Sequence, residues 1–332
     1  MVQTHVAHTP ATAPVASRLQ YFPVTLFSSV MGIGGLSLAW RRAAKVWALP
    51  SWPSQVLFWV ALAVFVLVAV LYAAKWARFP GAAWAEIQHP VRMTFVPTVT
   101  ISVLILATAG QDLLPTAARI AWWLGAVGHL VLTVAVLTAW FSRADVIHSH
   151  VTPAWFIPIV GNVVTPLAAP TLGSVEVGWL AFGVGIVFWL GLLPLLLERV
   201  LLHDQPLPEK LLPTIAIFIA PPAVALLSWQ SLTGAVDDPV GRILFAAAMM
   251  FTVLLFAQAA RLRAIPFALP YWAYSFPLAA ASVAAIAMAK ARGNLGYDVV
   301  GAVLLGVTTV VVLVVGALTL RGVARHEICV PE

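Results

Sequence analysis

Apolar residues run through this chain in blocks of about twenty, and the polar residues are gathered into short breaks between the blocks. A helix crossing a ~30 Å hydrocarbon core needs roughly 20 mostly apolar residues. Cut at its polar and Pro/Gly-rich breaks, the sequence yields ten such stretches, at residues 22–40, 54–75, 92–109, 116–141, 152–172, 177–198, 211–229, 239–260, 265–289 and 299–320. They predict an all-α integral membrane protein of ten transmembrane helices, with a transmembrane domain over 18–322 and a short C-terminal tail over 323–332. Residues 1–17 hold no Lys or Arg and no apolar block, so they lack both parts of a signal peptide and read as a disordered N-terminal tail.

Composition removes the soluble alternatives. Of 332 residues, 62% are hydrophobic and 9% charged, against roughly 25% charged in soluble domains. The net charge of +6 does not point to nucleic acid, because Lys and Arg stand beside the ends of the apolar blocks, where lipid headgroups attract them. The lone cysteine, Cys329, excludes an internal disulfide and any cysteine metal cluster. Ten spans put both termini on one side. That side holds 11 Lys and Arg and the other 7 of the 18 present, so the positive-inside rule places both ends in the cytoplasm, in the inner or plasma membrane. Trp40, Trp52, Trp76, Trp140, Trp155 and Trp229 fall near span ends, as an interfacial aromatic belt requires.

The prolines alternate. Pro23, Pro97, Pro158, Pro221 and Pro277 fall in spans one, three, five, seven and nine, whereas most even spans are proline-free, Pro194 in span six being the exception. A mid-helix proline strands the carbonyl four residues earlier, here those of Met93, Ala154, Ile217 and Ala273. Lipid cannot satisfy a stranded carbonyl, so kinked odd spans are expected inside and even spans outside. The result is five helical hairpins around a central pore, repeated in parallel. The odd spans also carry the small polar side chains Thr25, Thr98, Asn162, Thr165, Thr214 and Ser275. Taken together these favour a polar, uncharged lumen, and taken singly each is equally explained by a bond back to its own helix.

Four motifs in order resemble one family. They are the first span from Phe22-Pro23-Val24-Thr25 to Trp40; His89-Pro90-Val91-Arg92 before span three; Pro153-Ala154-Trp155 with Val160-Gly161-Asn162 in span five; and Trp272-Ala273-Tyr274-Ser275-Phe276-Pro277 in span nine. Over residues 20–322 the chain resembles the TehA and plant slow-type anion channel family, also called the tellurite-resistance/dicarboxylate transporter family. The resemblance implies a homotrimer with one pore per protomer, closed by a phenylalanine of the ninth span. The matching residue is Phe276, with Pro277 behind it able to ease its motion. It also implies a first-span glycine facing that ring, and the gapless match puts Ser28 at that position.

The charges fit an anion. No Asp or Glu falls at membrane depth, where a cation or proton pathway would place one. Arg92, Arg261 and Arg263 stand near inner-helix ends and are expected to raise the local anion concentration. His129, inside span four, reads as a packing or interhelical hydrogen-bonding residue. His148, His150 and His203 lie in separate loops without supporting ligands, so no metal and no cofactor is expected. Gly32, Gly34 and Gly35 read as a close helix contact, since a phosphate loop needs a lysine that is missing here. No nucleophile and base constellation marks an enzyme. The expected function is a passive channel for small anions such as chloride or nitrate. The alternative is a carrier or exporter of dicarboxylates, sulfite or tellurite-type oxyanions. The expected partners are small inorganic or organic anions and membrane lipid.

Overall fold

A computed structural model describes residues 15–202 and 206–330 and, among these, contains helices and no strand. Nine of the helices are long and apolar enough to cross a membrane, one fewer than the ten expected: Trp52–Arg78, Arg92–Gly110, Pro115–Ser142, Pro153–Leu172, Val175–Leu201, Glu209–Thr233, Pro239–Ala257, Leu269–Arg292 and Leu295–Ala324. The tenth expected span forms the 21-residue helix Phe27–Trp47, but Arg41, Arg42 and Lys45 occupy its last two turns and shorten its apolar part. The helix Val15–Gln20 begins inside the tail expected at 1–17, and residues 1–14 lie outside the described residues. The C-terminal segment folds back onto that short helix. Arg18 bonds the ring of His326 and, at 3.2 Å, the carbonyl of Ile328.

Spans three, five, seven and nine have 78 to 83% of their most apolar stretch buried, whereas for the even spans the figure is 17 to 33%. The first helix is buried at every position from Ser29 to Ser37. The even helices present Val66, Leu67, Leu124, Val187, Ile243 and Val310 outward, a continuous apolar exterior that water would not tolerate. Several are longer than the bilayer requires: 27 residues of Trp52–Arg78 extend about 40 Å at ~1.5 Å per residue, which a membrane accommodates by tilt. Among the inner elements the first touches the third, the third the fifth, the fifth the seventh, the seventh the ninth and the ninth the first, so they close a ring. Each even span packs on the odd element before it. Glycines set several of these contacts: a methyl group at Gly125 would stand 2.8 Å from Leu104 Cγ, and one at Gly301 2.8 Å from Ile286 Cγ1.

The odd elements are not kinked α-helices, which corrects the reading of their prolines. Each begins as 3-10 helix, and in most the α-helix takes over at or beside a proline. Arg92–Phe95 precedes Thr98–Gly110, which has Pro97 as its N-cap. Glu209–Ile219 precedes Ala220–Thr233, which has Pro221 in its first turn. Leu269–Tyr274 precedes Ser275–Arg292. In span five the 3-10 segment Gly161–Ala168 makes up much of the length. A proline at such a junction forgoes at most the one bond its own N–H would make to the preceding 3-10 turn. Nor are the expected carbonyls all stranded. Met93 O accepts from Val96 N–H at 3.2 Å, and Ile217 O accepts from Ala220 N–H, the three-residue spacing of a 3-10 turn.

Candidate functional site

Two cavities lie in line inside the ring, and residues of all five odd elements line each one. The first, of about 70 Å³, is bounded by earlier residues of every element, among them Met31, Phe95, Phe156, Ile217 and Phe276. The second, of about 310 Å³, is bounded by later residues, among them Arg42, Gln111, Leu167, Gln230 and Val283. Because the order is the same in all five, the inner elements run parallel. Phe276 and Val224 line both cavities, so the phenyl ring borders each of them.

The ring is held by what surrounds it. Phe276 is the second residue of the helix Ser275–Arg292, directly after the 3-10 segment, and is only 8% exposed. A methyl group built at Gly35 would stand 3.0 Å from its Cδ2 and 3.2 Å from Ala279 Cβ. The first-helix residue beneath the ring is therefore Gly35. Ser28, two turns earlier, lines the first cavity with the ring. Gly32 is closed still tighter, with Ser275 Oγ 2.1 Å from the position of an added methyl. The sequence signal for Gly35 was the cluster Gly32, Gly34, Gly35, whose close packing the structure places against spans three and nine.

Of the small polar residues expected in the lumen, Ser28 and Thr98 line the first cavity, and Thr25, Asn162, Thr165, Thr214 and Ser275 line neither cavity. Most turn back onto their own chain: Thr98 Oγ1 donates to Phe95 O at 2.6 Å, Thr214 Oγ1 to Leu211 O at 2.6 Å, and Ser275 Oγ to Trp272 O at 2.6 Å. Asn162 Nδ2 donates to Thr133 Oγ1 of span four and to Ile159 O, both at 2.8 Å, and Thr133 Oγ1 itself reaches Pro158 O at 2.7 Å. His129 is fully buried and pairs with Thr100 Oγ1 at 2.8 Å, an interhelical bond between spans four and three. The first cavity is accordingly walled mainly by apolar side chains.

Charge lies elsewhere. Arg92, Arg261 and Arg263 are exposed on the side of the inner elements' amino termini and line neither cavity. The second cavity is lined by Arg41, Arg42 and Lys45 from the end of the first helix. Arg41 bonds Asp112 at 2.5 Å and Thr108 O at 2.8 Å, and Lys45 stands 3.8 Å from the same carboxylate. Sequence reading ended the first span at residue 40 and so left these three cations outside it. The signal that would have found them is helical spacing: Leu38, Arg41, Arg42 and Lys45 share the face that continues from Gly35. Among the described residues no group of three or more His, Cys, Asp or Glu is placed to hold a metal, and His203 lies outside those residues.

The sequence profile of the voltage-dependent anion channel family matches residues 21–320. The chain is 27% identical over 325 residues to S-type anion channel SLAH3 of Arabidopsis thaliana, covering 93% of this chain and 50% of that protein. It is 28% identical over 281 residues to the tellurite resistance protein TehA homolog of Haemophilus influenzae, covering 82% of each. It is 25% identical over 289 residues to an uncharacterized transporter of Methanocaldococcus jannaschii, covering 79% of this chain and 83% of that one. The chain spans about half the length of the plant relative.

Proposed function

The chain belongs to the voltage-dependent anion channel family, which is not a family of enzymes, and we propose that it is a passive channel for small anions such as chloride and nitrate, gated by Phe276. It is a multi-pass membrane protein. The supporting observation is the pair of cavities inside the ring, each lined by residues of all five inner elements and both bordered by Phe276. In this reading Phe27–Trp47 completes ten spans, arranged as five hairpins around a pore. A small anion sheds its water only at a cost of several kcal/mol, and an apolar throat offers nothing in return, so a phenyl ring beside a ~70 Å³ apolar cavity blocks conduction. Turning the ring removes the block. Phe276 stands just after a 3-10 to α junction, with Pro277 next to it.

Ser28, Thr98 and the other hydroxyls of the inner elements, with Asn162, are proposed as groups an anion meets once the gate opens. Thr25, Asn162, Thr165, Thr214 and Ser275 would have to leave their present surroundings to do so. Arg92, Arg261 and Arg263 are proposed to concentrate anions at the amino-terminal mouth, which the positive-inside rule assigns to the cytoplasm along with both termini of an inner-membrane protein. A homotrimer with one pore per protomer is the proposed assembly. The alternative is a carrier of dicarboxylates, sulfite or tellurite-type oxyanions, favoured by the likeness to a protein named for tellurite resistance. Reconstitution separates the two. A channel gives an ohmic anion current at clamped pH, whereas saturable, proton-dependent uptake with negligible current would establish the carrier.

A further inference from the structure

The side chains around the first cavity offer almost nothing to water. Among the described residues that line it, only Ser28, Thr98 and Trp272 carry a polar side-chain atom. Thr98 Oγ1 donates its proton to Phe95 O at 2.6 Å, and Trp272 Nε1 donates to Thr319 Oγ1 of span ten at 3.0 Å. Ser28 is left as one hydroxyl at the wall. A water molecule needs about two to four polar partners to be held in a protein cavity, and an anion loses more by entering. What the wall does supply is polarisable surface: Phe95, Phe156, Trp272 and Phe276 present rings and Met31 a thioether. The volume, about 70 Å³, is roughly half that of a ~150 Å³ apolar cavity of the kind that holds benzene or xenon.

We propose that this cavity is a binding site for one small uncharged apolar molecule, a xenon atom or a body of a few carbon or halogen atoms, and that its occupant blocks conduction. Binding follows from the walls alone, and the block rests on the channel reading. A compact neutral body touches all five inner elements at once and has no hydrogen-bonded water to surrender, so its contacts are a net gain. The volume is too small for an acyl chain, and a charged molecule would shed its water for no partner. Seated against Phe276, the occupant fills the space beside the ring and leaves an anion no polar group on its way. Because it carries no charge, the membrane potential neither draws it in nor expels it.

The test presses xenon into crystals of the wild-type protein and reads its anomalous density. A peak is expected inside the ring of inner elements, against Phe156 and Phe276; a peak only on the lipid-facing even spans, or none, would overturn the site. Ala220→Leu enlarges a side chain of the cavity wall and is expected to remove the peak. Val164→Ile adds one methylene to the same wall, is expected to weaken the peak, and serves if the leucine variant does not fold. Phe276→Ala widens the cavity by a ring, so benzene is expected to raise the Tm of that variant in detergent by more than it raises that of wild type, and equal shifts would contradict the site. In planar bilayers benzene is expected to lower the chloride current of Phe276→Ala equally at positive and negative potentials. Adding Ala220→Leu is expected to raise the half-blocking concentration roughly tenfold. An unchanged half-blocking concentration would place the action in the bilayer and overturn the block. A Phe276→Ala protein that carries no current counts against the channel reading alone, because the xenon peak and the benzene shift are read without current.

Discussion

At Gly32 the chain has no room for even one methyl group, because Ser275 Oγ would lie 2.1 Å and Ser275 Cβ 2.7 Å away. Both atoms belong to the residue that precedes Phe276, so the contact fixes where the ninth element starts. Gly32→Ala is expected to lower stability by about 1 to 3 kcal/mol, the usual cost of overpacking, read as a fall in Tm in detergent. Gly35 is a gentler case, since the 3.0 Å approach falls on a ring edge that can yield by a few tenths of an ångström. Gly35→Ala is expected to push the ring from its seat and raise basal current. In the Phe276→Ala background the same change should add little, because residues in contact couple. Equal increments in both backgrounds would mean that Gly35 acts on something other than the ring. The glycine cluster was legible in the sequence as a close contact. Its partner was not, because sequence spacing within one helix carries no information on which distant helix lies opposite.

The 3-10 segments decide how the inner elements differ from ordinary membrane helices. Alternating prolines revealed which elements are inner, since proline in lipid-facing helices is costly. The prolines did not reveal the form of the bend: a kink and a 3-10 to α junction place proline at similar positions, and only the bonds of Met93 O and Ile217 O separate the two. Pro221→Ala is therefore expected to change stability by less than ~1 kcal/mol, because a proline at the first α turn disturbs little; a gain of several kcal/mol in thermal melts, the relief of a mid-helix proline, would restore the mid-helix reading. The same geometry accounts for the hydroxyls. Thr98, Thr214 and Ser275 each bond the carbonyl three residues back, a local outcome that composition could not distinguish from lumen lining. A buried ion pair anchors the first element. Lys75 Nζ bonds Glu86 Oε2 at 2.6 Å and Phe22 O at 2.8 Å, and Glu86 Oε1 accepts from Val24 N–H at 2.8 Å. Lys75→Met leaves a buried carboxylate unpaired and is expected to cost about 3 to 5 kcal/mol. Lys75→Met with Glu86→Gln should melt closer to wild type, and an equal or lower Tm would contradict the pairing.

Across the whole molecule, five parallel inner elements close a ring and the even spans form an apolar jacket around them. Span count was nearly complete in the sequence, because twenty-residue apolar blocks are a strong signal. The first span is the exception, since its last turns carry the cations of the second chamber. The ring itself could not be read from hydropathy, which orders spans along the chain and not around an axis. Native mass spectrometry in mild detergent is expected to show a mass three times 35.5 kDa, and a stable monomer would remove the trimer from the proposal. The claim on which the rest depends is that Phe276 alone stops anions between the two cavities. Its most direct test is the current through Phe276→Ala in planar bilayers with asymmetric chloride. The account predicts a current many times that of wild type, reversing near the chloride equilibrium potential; a current equal to wild type, with the protein correctly inserted, would contradict it.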